Sequence, residues 1–156
     1  MEKLICSSAE FVGLIEETIG SGGTMPIVVT GNSMRPFLKD GEHTVWLERC
    51  TDSDLKRGRI LLFRRTNGKI VLHRVRKVRP GGVLVMNGDA QNWCENIEKN
   101  QVLAVVTHIE ANGKKKPCNS LFYRMRTEIW QLLMPVRPFV FRVVRKIKRM
   151  FRKSER

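Results

Sequence analysis

Between about residue 43 and residue 110 the chain carries one short β-branched or apolar segment after another, with turn signals between them and no stretch of helical period. The segments are 44–48, 59–65, 69–78, 83–86 and 101–110. Asn67-Gly68, set between two apolar runs, is a strong hairpin cue, because both residues accept the positive φ that a tight two-residue turn requires. Pro80-Gly81-Gly82 marks a second reversal. Parallel strands need helical crossovers, and none is available here, so the expected fold class is mainly β: a curled antiparallel sheet or partly open β-barrel.

Helical patterns flank this run. Ser7 and Glu10 fit a capping box, and Phe11, Leu14, Ile15 and Ile19 follow at helical spacing until Gly20-Ser21-Gly22-Gly23 stops the pattern. The spacing predicts a helix over about 8–19. A short β-branched segment, 26–30, then leads into the tight turn Gly31-Asn32-Ser33-Met34-Arg35-Pro36. Beyond Lys114-Lys115-Lys116-Pro117, the residues Met125, Ile129, Leu132, Leu133, Val136, Val140, Val143, Val144, Ile147 and Phe151 recur at steps of three and four. Pro135 and Pro138 should divide this helix into segments near 121–134 and 139–153. The expected organisation is a domain over 1–118, with its β-core at about 24–110, followed by a basic amphipathic helical tail over 119–156.

Charge divides along the same line. The chain has 156 residues, 29 Lys plus Arg and 15 Asp plus Glu, a formal net charge of +14. Residues 1–118 hold 18 basic and 13 acidic side chains, a net of +5, whereas 119–156 hold 11 basic and 2 acidic, a net of +9. Hydrophobic residues at 42% are too many for wholesale disorder. Trp130, Phe139, Phe141 and Phe151 interleave with Arg137, Arg142, Arg145, Lys146, Lys148, Arg149, Arg152 and Lys153, a pattern that fits a helix lying on an anionic membrane surface. Each basic residue near such a surface contributes about 1 kcal/mol. Nucleic acid competes for the same charge, but no helix-turn-helix, zinc finger or aromatic RNA-binding box accompanies it. No run approaches the roughly 20 apolar residues that a spanning helix needs, and the first residues lack the pattern of a secretory signal. Cytoplasmic residence is expected, with peripheral contact at the inner face of the membrane. Cys6, Cys50, Cys94 and Cys118 include no C-x-x-C pair and read as free thiols; no metal or cofactor is expected.

The chemistry concentrates around Ser33. A serine in a tight turn, with Gly31 before it and Pro36 after, is placed as a nucleophile would be, but its hydroxyl needs a neighbouring base. His43, His73 and His108 are the three histidines, and Lys69 offers a Ser-Lys alternative. Four residues of strand separate Lys69 from His73 by roughly 13 Å, so the two cannot both serve Ser33 directly. An acid must also hold a histidine base in its tautomer. Asn87-Gly88-Asp89-Ala90-Gln91-Asn92-Trp93-Cys94-Glu95 offers Asp89 and Glu95.

These residues resemble the signal-peptidase family of serine peptidases. Gly31-Asn32-Ser33-Met34-Arg35-Pro36 is similar to its G-x-S-M-x-P box, His73-Arg74-Val75 to the H-R-V box of the endoplasmic-reticulum-type Ser-His branch, and Gly88-Asp89 to the G-D opening its last acidic box. The resemblance covers about 24–110. It implies a signal-peptidase-type fold, Ser33 as nucleophile and His73 as general base. It further implies Glu95, six residues after the G-D aspartate, as orienting acid, and Asp89 as support for the loop or the histidine. His43 and His108 are then structural. Ala90-Gln91 stands where the family has asparagines, Glu95 where it has aspartate, and Arg59 where it has an acid. No membrane anchor precedes the first box, so a dedicated peptide substrate, such as the leader of a modified peptide, is expected in place of general secretory processing. The reading from a different class is a catalytically silent relative that serves as a basic module for nucleic acid or lipid.

Overall fold

In the computed structural model, which describes residues 8–154, helix α1 (Ser8–Gly20) precedes eight strands: β1 (Met25–Val28), β2 (His43–Glu48), β3 (Ile60–Arg64), β4 (Ile70–Val78), β5 (Leu84–Asn87), β6 (Glu95–Ile97), β7 (Val102–Ala111) and β8 (Lys114–Pro117). Two helices, α2 (Leu121–Leu132) and α3 (Arg137–Ser154), follow. The strands form one antiparallel sheet in the order β1-β2-β7-β3-β4-β5-β6, with no pairing between its ends, and β8 pairs with β7. This is the expected mainly β antiparallel architecture with an N-terminal helix and C-terminal helices. The proposed Ser7 cap and the Cys6 thiol lie outside the described residues; Cys50, Cys94 and Cys118 are free.

The long strand β7 organises the sheet. One edge pairs with β2 from Val105 to Ala111; the other pairs with β3 as far as Val105 and then with β8 from His108. β8 therefore continues the sheet where β3 stops. Its Lys-Lys-Lys run marks in sequence the join between domain and tail, but an edge strand tolerates lysines well, and Lys115 lies over the Trp46 ring.

Strand β3 is buried on both faces, and its alternation divides the core in two. Ile60 and Leu62 join Ile15, Ile19, Met34, Phe37, Leu38, Val45, Leu47, Ala104 and Val106 on one side. Leu61 and Phe63 join Val75, Leu84, Met86, Ile97 and Val105 on the other. The same alternation operates in β4. Arg74 turns toward Phe37 and Tyr123 on the first side, whereas His73 turns toward Phe63 on the second.

The tail differs from its sequence reading at Pro138. A short 3-10 turn, Met134–Val136, separates the two helices, and Pro138 lies in the first turn of α3, where a missing N–H costs nothing. Ser120 caps the N-terminus of helix α2, its hydroxyl accepting from the Tyr123 N–H at 3.3 Å. Tyr123 and Trp130 pack against the first core, so this helix is joined to the sheet. Among the described residues no helix is long and apolar enough to cross a membrane.

Candidate active site

Ser33 lies in the loop between β1 and β2. Gly31 has φ +83°, a conformation L side chains rarely adopt, and its N–H donates to Asp40 Oδ1 at 2.9 Å. Phe37 and Leu38 N–H groups both donate to the Met34 carbonyl. Met34, Phe37 and Leu38 are buried, while Ser33 between them and the exposed Asn32 is half-buried. The apolar anchors thus fix the loop and leave the serine at its rim.

The segment 88–94, between β5 and β6, packs against this loop. Gly88 is required there: a Cβ would come within 2.8 Å of the Ser33 carbonyl oxygen. The Ala90 N–H donates to that same carbonyl at 2.8 Å. Asp89 then turns inward and is fully buried. Arg74 Nε and Nη2 donate to its two oxygens at 3.0 and 2.7 Å, while Nη1 also donates to Gly58 O and Nη2 to Tyr123 Oη. Asp89 and its ion pair hold the Arg74 charge firmly against the burial that opposes it. Burial pushes the Tyr123 hydroxyl up to about 12, so it remains protonated.

The C-terminal helices clamp the same segment. Trp130 Nε1 donates to Asp89 O at 2.7 Å. Arg137, also buried, donates through Nη1 to Asn87 Oδ1, Gly88 O and Gln91 O, at 2.6, 3.2 and 2.9 Å. Trp130 and Arg137 therefore face the sheet, a correction to the expectation that both belong to an outward interfacial surface. Arg76 Nη1 also donates to the Gln131 carbonyl.

His73 occupies the opposite face of β4. Its Nδ1 is 3.0 Å from Glu95 Oε1, and because a carboxylate only accepts, Nδ1 carries the proton and Nε2 has the lone pair. Arg65 grips the same carboxylate, donating from Nε to Oε2 and from Nη2 to Oε1, each at 2.6 Å. Trp93 meets the imidazole edge to face and lies under the Arg65 guanidinium. Burial pulls the His73 pKa below its ordinary value; Glu95 pulls back, and the Arg65 charge adds to the fall. The imidazole is thus neutral at pH 7. Arg65 also lines a cleft of about 540 Å³ with Arg64, Thr66, Glu98 and Gln101.

Of the four site residues, the fold joins His73 to Glu95, and Ser33, through its backbone, to the segment that carries Asp89. Asp89 pairs with Arg74 and supports that segment. No hydrogen bond links Ser33 Oγ to His73 among the described residues; the 88–94 segment lies between them, touching Ser33 at Ala90 and leading into Glu95. Lys69 is exposed at the hairpin, its N–H bonded to Asn67 Oδ1. His108 Nδ1 bonds with Thr107 Oγ1, and His43 begins β2, paired with Ala111. The roles of Arg65 and Arg137 were missed in sequence, where each reads as one basic residue among many. A signal for Arg74 exists: strand alternation places it opposite His73, facing the core.

A scan against protein-family models and a search of curated proteins found no match.

Proposed function

We propose that the protein is a serine endopeptidase of the signal-peptidase type, acting through Ser33, His73 and Glu95. The observation that carries this reading is the buried His73, kept neutral and bonded through Nδ1 to a carboxylate that is itself held by Arg65. That arrangement fixes the tautomer a general base requires and points its basicity to Nε2.

In the proposed reaction, Ser33 Oγ approaches Nε2 as an extended peptide seats beside it, an approach that catalytic hydrogen bonds commonly complete only with substrate bound. Nε2 takes the hydroxyl proton as Oγ attacks the carbonyl carbon. The resulting imidazolium is stabilised by Glu95 and then protonates the leaving amine. Water repeats the sequence on the acyl-enzyme and restores Ser33. The Ser33 N–H is one donor for the oxyanion. Asp89 acts at a distance: with Arg74 it fixes the segment on which the Ser33 carbonyl rests.

The alternative, a catalytically silent relative serving as a basic binding module, gains support from the missing hydrogen bond between Ser33 Oγ and His73. A fluorophosphonate probe separates the two. The peptidase reading expects covalent labelling at Ser33, abolished by Ser33→Ala and strongly slowed by His73→Gln. Equal labelling of Ser33→Ala, or none of the wild type together with no cleavage of a peptide library, favours the silent module.

A further inference from the structure

Helix α2 is oriented against the usual rule for a surface helix. Its sheet-facing side buries Thr127 and Gln131, and Gln131 leaves both side-chain polar atoms without partners. Its outer side exposes Leu121, Phe122, Met125, Ile129 and Leu132, and α3 exposes Phe139 near its start. Leu121, Phe122 and Leu132 are each more than 70% exposed and Phe139 is 65% exposed. An amphipathic helix normally turns its apolar stripe to the core, and a contiguous apolar surface this long calls for something to cover it.

Charge selects the cover. Beside Arg137, which is buried against the sheet, residues 129–154 contain seven basic side chains and no acidic one. A second copy of the chain would bring two such segments together and meet like charge with like charge. Nucleic acid would answer the charge but leave the apolar stripe in water. An anionic bilayer answers both, because its headgroups take the cations and its acyl boundary takes the stripe.

We propose that the outer face of α2 and α3 is a docking surface for anionic lipid, on which the protein lies with these helices in the plane of the interface. The inner face of the same helices grips the 88–94 segment through Trp130 and Arg137, so the docked element is joined to the candidate site. The docking surface does not depend on the peptidase reading, since Ser33, His73 and Glu95 take no part in it.

The test is flotation of the full chain with vesicles of phosphatidylcholine alone and of phosphatidylcholine containing phosphatidylglycerol. The expected result is binding to the second kind, weakened by salt, retained by Ser33→Ala, and reduced about tenfold or more by Leu132→Glu with Phe139→Glu. Both positions are exposed, so the double variant should keep the wild-type circular dichroism. Absence of binding to either vesicle, or binding that the double variant retains, overturns the proposal. So does a wild-type dimer that the double variant converts to monomer without any vesicle binding. Binding to duplex DNA in place of vesicles overturns it too, and assigns the charge to phosphate backbones.

Discussion

An ion pair stands against each face of strand β4, one made by Arg74 of the strand itself and one between Arg65 and Glu95 beside His73, and the two are built to opposite ends. On one face Arg74 and Asp89 are each 1% exposed and joined by two parallel hydrogen bonds, with Nη1 also donating to the Gly58 carbonyl and Nη2 to the Tyr123 hydroxyl. On the other, Arg65 and Glu95 are 27% and 18% exposed, and Glu95 has a further partner in His73. The first pair is closed to solvent, and its effect is to fix the backbone around Asp89. The second is open at its rim, and it sets the protonation and orientation of an imidazole. Adjacent residues of one strand thus divide the work of holding a site from the work of tuning it.

The largest expected effect separates these tasks. Asp89→Ala strands a buried guanidinium and should cost about 3–5 kcal/mol of stability. Glu95→Ala frees a partly exposed guanidinium and leaves the buried His73 N–H unpaired, and should cost less, about 1–3 kcal/mol. Urea unfolding of the two variants measures the difference; equal losses would mean that both pairs are structural.

A smaller effect is expected at Gly88, where the supporting segment touches the Ser33 loop. Gly88→Ala places a methyl group against the Ser33 carbonyl and should cost about 1–3 kcal/mol through the backbone shift it forces. If the segment positions the nucleophile, Ser33 labelling by a fluorophosphonate should fall in the folded variant as well. An unchanged labelling rate would detach the Arg74 face from the chemistry.

The smallest effect is a pair of opposed titration shifts. Removing the carboxylate with Glu95→Gln should lower the His73 pKa further, whereas removing the guanidinium with Arg65→Gln should raise it. Imidazole signals followed by NMR against pH check both directions. The sign for stability follows. The folded pKa lies below the unfolded value of ~6.5, so the unfolded state takes up the proton first. His73 therefore contributes fully above ~6.5, and its contribution declines as pH falls through the folded pKa.

The sheet was legible in sequence because alternation and turn chemistry are local signals. The hairpin at Asn67-Gly68 and the strand reaching Val78 lie within a residue of their expected positions. Two strands left no such signal. Glu95–Ile97 is three residues long, too short to display a period, and Lys114–Pro117 looks like a charge run until the unpaired half of the β7 edge is seen. At the site, the approach of Glu95 to His73 was expected only through the family resemblance, since it depends on β5 pairing with both β4 and β6. The Arg65 clamp was not expected at all. Its register partner lies outside the paired strands, and a guanidinium found by tertiary folding has no periodicity to announce it. The tail shows the converse: its apolar spacing was plain, but which face would turn outward was not, because Trp130, Thr127 and Arg137 find partners on the sheet that the helix alone does not reveal.

The central claim is that a neutral, Glu95-oriented His73 activates Ser33. Its most direct test is the rate of fluorophosphonate labelling at Ser33 as a function of pH, in the wild type and in Glu95→Gln. The account predicts a rate that rises through a pKa below ~6.5 and then levels, with Glu95→Gln lowering the plateau by about 100-fold or more and moving the midpoint to lower pH. A wild-type rate indifferent to pH across that range, or a plateau that Glu95→Gln leaves intact, would contradict it.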